Sequence, residues 1–319
     1  MPELTYNDSA SALQMAQLIF GDRVTVTGAS FTGDPDGSAI YSDGDTISPN
    51  VVPSDAGVIL STGEADRFTN DSGTNTNLRT NTTSANSGGN SDPDFNALSG
   101  LNTFDANFLE VDFVPDAGVN FITMEFVFSS DEYPEFAGSI YNDMVGVWID
   151  GVNVPLAAGN GLTSVGNIND SGGINLFRSN VNDTFNTEMD GFTVAMSFVI
   201  PVTPGVEQTL KIGLADVSDN QYDSNLLLAA DSVQGDLIAN TDEYLLRPGD
   251  SRTVDVLAND INITGGVAFI TEINGQAVTP GDTVILTTGQ SVTLNADGTL
   301  DLVGNAFSED DAYTYETPS

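Results

Sequence analysis

The sequence predicts an all-β protein: a large β-sandwich with one short N-terminal helix, followed by a small immunoglobulin-like β-sandwich. Three observations carry this. Long runs alternate between apolar and polar residues, the period of a half-buried strand. Glycine, asparagine and aspartate break those runs at turn-like intervals. Only one stretch, near the start, has helical spacing.

That helix comes first. Asn7-Asp8-Ser9 offers N-cap oxygens, Leu13, Ala16, Gln17 and Phe20 share a face, and Gly21 follows as a stop. The strands come next. Leu109, Val111 and Phe113 alternate with Glu110 and Asp112; Ile122, Met124, Phe126 and Phe128 alternate with Thr123 and Glu125. Phe192, Val194, Met196, Phe198 and Ile200 repeat the pattern, as do Leu210, Ile212 and Leu214. Two such sheets face to face close a sandwich core. Between strands, residues 69–94 are almost wholly Asn, Ser, Thr and Gly, a surface loop that is either mobile or pinned by ions. Residues 159–186 are also polar, but Ile168, Ile174, Leu176 and Phe177 predict partial packing.

A boundary near residues 234–241 divides the chain into domains at 1–235 and 236–319. Beyond it strands shorten and turns multiply. Asn274-Gly275 is a type I′ hairpin signal, and Asn295-Ala296-Asp297-Gly298 joins two further strands. After Tyr313-Thr314-Tyr315 a final strand is expected and is not seen. It would come from sequence past Ser319 or from a neighbouring molecule, with Pro2-Glu3-Leu4-Thr5-Tyr6 as the donor candidate.

Composition narrows the function. Seven Lys plus Arg stand against 46 Asp plus Glu, a formal net charge of −39, which repels nucleic acid and anionic membranes. The acidity fits divalent cations, a salty environment or plain solubility, and its clustering with Asn, Ser and Gly in loops favours cations. The chain has no Cys and no His. That removes disulfides, thiol catalysis, cysteine-based metal sites and the commonest general base, and it argues against an enzyme. No run of about 18 apolar residues occurs to insert in a membrane, and no basic, apolar leader opens the chain.

Three acidic clusters follow strands. The first is Ser129-Ser130-Asp131-Glu132-Tyr133-Pro134-Glu135-Phe136 with Asn142-Asp143, and the second is Asn186-Thr187-Glu188-Met189-Asp190-Gly191. The third is Ala215-Asp216-Val217-Ser218-Asp219-Asn220-Gln221-Tyr222-Asp223-Ser224-Asn225. Ca²⁺ takes 6–8 oxygens from carboxylates, amides, hydroxyls and carbonyls, and a strand end fixes such ligands. Solvated turns with side-chain-to-backbone hydrogen bonds are the alternative. With Asp260 of the second domain, the candidate Ca²⁺ ligands are Asp131, Glu132, Asn142, Asp143, Asp216, Asp219, Asp223, Ser224 and Asp260. Lys211, in mid-strand with no serine motif near it, reads as part of a polar strand face. Trp148 and exposed tyrosines could stack on a sugar or complete a core.

Five segments carry a resemblance. Gly57-Val58-Ile59-Leu60-Ser61-Thr62-Gly63, Leu109-Glu110-Val111-Asp112-Phe113-Val114-Pro115 and Phe126-Val127-Phe128-Ser129-Ser130-Asp131-Glu132-Tyr133-Pro134-Glu135-Phe136 resemble motifs of the bacterial choice-of-anchor L domain. So do Asn142-Asp143-Met144-Val145-Gly146-Val147-Trp148-Ile149 and the run from Asp216 to Ser224. Residues 236–319 resemble cadherin-like or VCBS-type repeats through Asp255-Val256-Leu257-Ala258-Asn259-Asp260, in an arrangement similar to marine alphaproteobacterial proteins with a Hint region downstream. The resemblance implies an extracellular or cell-surface module, exported without a visible N-terminal signal in the manner of type I secretion cargo. The expected role is structural: a Ca²⁺-rigidified module for adhesion, matrix building or display. Its partners would be other copies of itself or surface and matrix glycans. The alternatives are a lectin-like polysaccharide-binding module and a filament subunit joined by strand exchange.

Overall fold

The computed structural model describes residues 3–79, 90–158, 161–235, 237–238, 242, 244, 246–247, 249–262, 267–305 and 315–316. Within it the alternating runs form strands that pair antiparallel into two large sheets. The first sheet contains β1 (Thr5–Asn7), β3 (Ser38–Ser42), β4 (Gly57–Ser61), β6 (Phe121–Ser130), β11 (Phe177–Ser179), β12 (Gly191–Thr193), β13 (Met196–Pro201) and β15 (Ser224–Ala229). Its order is β1-β3-β4-β15-β6-β12-β11, and β13 pairs the outer length of β6. The second sheet is β2 (Val24–Thr32), β5 (Thr103–Pro115), β14 (Gln208–Val217), β7 (Met144–Ile149) and β8 (Val152–Asn153), in that order. A small hairpin, β9 (Ala157–Ala158) with β10 (Gly161–Leu162), lies beyond β8.

Period-two alternation places the core between these sheets. Leu109, Val111 and Phe113 of β5 and Leu210, Ile212 and Leu214 of β14 face Met124, Phe126 and Phe128 of β6, all buried in one cluster. Each such side chain contributes about 1.5–3 kcal/mol on burial. The first sheet is covered on its far face too. Tyr41, Ile59, Val127, Phe192 and Leu227 pack there against Leu4, Ile47, Val51, Phe68 and Met189. Burial on both faces is why Val58-Ile59-Leu60 and Leu226-Leu227-Leu228 are continuous apolar runs.

The N-terminal helix differs from the expected one. α1 spans Ala12–Ile19, and its N-cap is Ser11, whose hydroxyl and backbone exchange hydrogen bonds with Gln14 in a capping box. Asn7 belongs to β1 instead. Met15, Ala16 and Ile19 form the buried face, while Leu13 and Gln17 are exposed. Gly21 is needed for close approach: a Cβ there would lie 2.7 Å from the Asp231 carbonyl oxygen. The helix is also not alone. α2 (Gly44–Ile47) and α3 (Pro93–Ser99) follow, and α3 is capped by Asp92 and stopped at left-handed Gly100. α3 lies on the outer face of the second sheet, where Phe95 packs with Phe108 and Trp148.

Residues 254–302 supply a separate apolar cluster. It lies among β17 (Ser251–Val254), β21 (Thr283–Ile285), β22 (Ser291–Leu294) and β23 (Leu300–Val303), sheet order β17-β23-β22-β21. β16 (Leu237–Ile238) pairs β18 (Ile261–Asn262), and β19 (Glu272–Ile273) pairs β20 (Gln276–Ala277). Asn274 and Gly275 have φ of 53° and 69°, the left-handed pair that a type I′ turn requires. β24 (Tyr315–Glu316) pairs β19 of its own unit, and residues 317–319, where the expected final strand would follow, lie outside the described residues. The proposed N-terminal donor is likewise engaged at home. Residues 5–7 pair with β3, Leu4 is buried, and the Tyr6 hydroxyl is 2.8 Å from Thr69 Oγ1.

Candidate functional site

At one end of the sandwich five strand ends from both sheets come together. β4 and β15 are tied there by Thr62 N donating to Ser224 O and Ser224 N donating to Thr62 Oγ1, both at 3.0 Å. β6 continues into Asp131, whose N–H donates to Asp223 O at 3.1 Å. Asp143 immediately precedes β7 and binds the other two ends. Its Oδ1 accepts from Val217 N at 3.0 Å and its Oδ2 from Ser224 Oγ at 2.7 Å. A register shift in β14 between Leu214 and Asp216 sets Asp216 into the same space.

The result is a buried concentration of carboxyls. Asp131, Glu132, Asp143, Asp216 and Asp223 are each at most 5% exposed. Burial, then the charges of Asp143, Asp219 and Asp131, push Glu132 up to about 9. Burial raises Asp143 to about 7 despite the hydrogen bonds from Ser224 and Val217. Asp216 is also held well above the usual carboxylate range, first by burial and then by Asp143. The Asp143 and Asp216 side chains are in hydrogen-bonding contact, so one proton can serve both. Glu132 Oε2 and Asp216 Oδ1 are buried and accept no hydrogen bond. The ion pairs of Arg23, Arg67 and Lys211 lie elsewhere and reach none of these three acids.

The sequence candidates divide accordingly. Glu132, Asp143, Asp216, Asp219, Asp131, Asp223 and Ser224 are brought together at this end. Asn142 adjoins them, but its side-chain oxygen accepts from Gly166 N at 2.6 Å and holds a neighbouring loop. Asp260 is separate: it lies in the C-terminal unit, where its N–H closes a turn onto Leu257 O. In the second acidic cluster Glu188 serves as a clasp. Glu188 accepts from Asn70 Nδ2 and, at 3.0 Å, from Leu78 N, so its oxygens fasten residues 70–78 to the sandwich. Residues 80–89 of that polar stretch lie outside the described residues. Sequence reasoning missed Thr62, which bonds both Ser224 and Asp216. Its signal was a polar Ser61-Thr62 step directly after an apolar strand.

As placed, no three acidic side chains among the described residues form a ready-made metal site. Asp143 and Asp216 engage each other instead. The donor chemistry nevertheless fits a hard divalent cation: carboxylate oxygens, two of them unpartnered, beside the hydroxyls of Thr62 and Ser224.

One open alternative is decided and one expectation is corrected. Trp148 is 4% exposed and meets Phe95 edge-on at 4.9 Å; Tyr133 is buried, with its hydroxyl donating to Ile168 O at 2.6 Å. Both complete cores. Lys211 is no wet strand face: α3 covers it, and its amine lies 2.8 Å from carboxylate oxygens of both Asp92 and Asp94.

Residues 5–234 match the family model described as the choice-of-anchor L domain. No curated protein matches the chain. Among solved structures, the CBM51-2 and INT domains of ZmpB from Clostridium perfringens align at 14% identity over 65% of this chain. The chain spans 41% of that structure's length, and the TM-score of 0.17 is too low to bear on fold or function.

Proposed function

The chain belongs to the choice-of-anchor L domain family, and from that premise we propose that its carboxylate cluster takes up Ca²⁺ and thereby stiffens a structural module. The family is one of surface-anchored or extracellular modules and is not an enzyme family. No helix among the described residues is long and apolar enough to cross a membrane. The observation that carries the proposal is the burial of Glu132, Asp143 and Asp216 to 3% exposure or less, with no ion pair to them among the described residues. Two of their oxygens have no partner. Burying unpaired carboxylates is expensive, and such groups either keep protons or acquire a cation. At neutral pH a Ca²⁺ ion would replace the proton between Asp143 and Asp216 and draw in Glu132. The ends of β4, β6, β14 and β15 would then be fixed through one centre. The module's task on this reading is adhesion, matrix building or display.

The test is thermal unfolding with added Ca²⁺ and with chelator, alongside calorimetric titration. A rise in Tm with Ca²⁺, lost on chelation and absent in Asp216→Asn, is expected. Equal melting curves and no binding heat would end the proposal.

One observation favours a second reading, a glycan-binding module. Phe136 lies 5.6 Å from Tyr141 and 5.3 Å from Tyr222 by ring centroids, and all three are only half-buried beside the cluster. Aromatic faces next to a cation suit a sugar ring. Polysaccharide retardation in an affinity gel that vanishes in Tyr141→Ala would support it.

A further inference from the structure

Lys211 is the chain's single lysine. It sits at the centre of β14 with its side chain 10% exposed. Its Nζ lies 4.1 Å from the centroid of Phe108, 5.1 Å from Trp148 and 5.7 Å from Phe95. Within this aromatic box Nζ is 2.8 Å from Asp92 Oδ2 and 2.8 Å from Asp94 Oδ2. The two carboxyls are not equivalent. The Asp92 side chain is 12% exposed, and that of Asp94 is 46% exposed. Asp92 Oδ1 also accepts from the backbone N–H groups of Asp94 at 2.9 Å and Phe95 at 3.2 Å.

From this arrangement we infer that Lys211 and Asp92 condense, within the folded chain, to an isopeptide bond, with Asp94 as the proton carrier. The chemistry balances without a co-reactant. Moving one proton from Nζ to Asp92 Oδ2 turns the ion pair into a neutral amine and a neutral acid, the forms that react. The Nζ lone pair attacks Asp92 Cγ. The negative charge that develops on Oδ1 falls where two N–H groups already point, the arrangement that stabilises a tetrahedral oxyanion. Asp94 takes the second proton from Nζ and passes it to the Oδ2 hydroxyl. The Cγ–Oδ2 bond breaks, one water leaves, the Nζ–Cγ amide remains, and Asp94 is regenerated. Nothing is oxidised or reduced. The fold supplies proximity, which in well-oriented intramolecular reactions is worth effective concentrations of about 10⁵–10⁸ M.

The identity of the cation separates this role from a purely structural one. An ion pair stacked on three rings is the task for which arginine is better suited, and the chain carries six arginines. Guanidinium stays protonated and is no nucleophile, whereas a dry lysine amine can lose its proton and attack a carboxyl carbon. The bond would join positions 119 residues apart and bind the segment leading into α3 covalently to the middle of the second sheet.

Intact-mass spectrometry of the full chain, purified and incubated to a constant reading, tests this. Wild type is expected to weigh one water less than its sequence. Under denaturing conditions an amine-reactive reagent should label only its α-amino group. Lys211→Arg keeps the charge and should show the full mass with unchanged circular dichroism. Asp94→Asn should slow the loss by about 10²–10⁴-fold, the range for a positioned acid–base group. Proteolysis should yield one branched peptide holding Asp92 and Lys211. A wild-type mass equal to the sequence would overturn the proposal. So would a deficit that persists in Lys211→Arg, which would place the dehydration elsewhere. A branch mapped to Asp94 would overturn the assigned roles.

Discussion

At the strand ends, Glu132, Asp143 and Asp216 are buried with no side-chain cation among the described residues in contact. On the outer face of the second sheet, Asp92 and Asp94 share the amine of Lys211. Both regions withdraw carboxyls from water, yet they differ in how charge is balanced. The α3 region carries its counter-charge in the chain. The strand-end region does not, and its groups are driven toward the protonated form unless an ion arrives from solution. Burial alone therefore does not set the sign of a carboxylate's contribution; the neighbour does.

The comparison can be broken most forcefully from the lysine side. Lys211→Ala removes the partner of buried Asp92 and, measured against chain in which the pair is still ionic, should cost about 3–5 kcal/mol, read by denaturant unfolding. Next is cation removal. With Ca²⁺ at about 100 times its dissociation constant the linkage amounts to about 2.7 kcal/mol. Chelation should then lower Tm by about 5–10 °C for a module of this size. A smaller effect of opposite sign separates the two regions: in chelator, Asp216→Asn should raise Tm by about 2–4 °C by removing one repelling charge. Asp92→Asn should lower it.

The pH dependence has a defined sign. Glu132 titrates at about 9 and Asp143 at about 7 when folded, above ordinary values of 4.5 and 3.8. The folded state thus holds more protons than the unfolded one between about pH 4 and 9. Stability in chelator is greatest below the ordinary values and is lost as pH rises through 7 and 9. Glu125, raised to about 7 by burial and by Glu272, adds to the same slope and does not depend on the cluster. Ca²⁺ should flatten the cluster's share, leaving Glu125's, as Tm measured from pH 5 to 9 would reveal. Smallest is Ser11→Ala, which removes the α1 cap and should cost about 1 kcal/mol with or without Ca²⁺.

Much of the sandwich was legible because its strands carry one wet face: Glu110 and Asp112 beside Leu109 and Val111 read correctly. The strand-end acids were legible for a related reason, since Asp143 and Ser224 stand where apolar strands begin and Asp216 interrupts one near its end. Lys211 was not. Alternation assigns it to the outer face, but only α3 decides that this face is dry, and α3 rises out of a polar stretch. Its signals were present locally, in Asp92-Pro93 as cap and first residue and in Gly100 as stop. Glu188 was read as a possible cation ligand because a clasp and a cation site use the same residue types. The partners that distinguish them, Asn70 and Leu78, are more than a hundred residues away.

The placement of Trp148 gives the molecule an optical reporter. It is the only tryptophan in the chain, it lies edge-on to Phe95, and the Lys211 amine sits over its ring. Its emission therefore reports on the seating of α3 rather than on the strand-end cluster. Hydration of the indole when α3 lifts would shift that emission to the red, even while the circular dichroism of the two sheets stayed constant. Local opening at one face can thus be timed separately from global unfolding, with no label added.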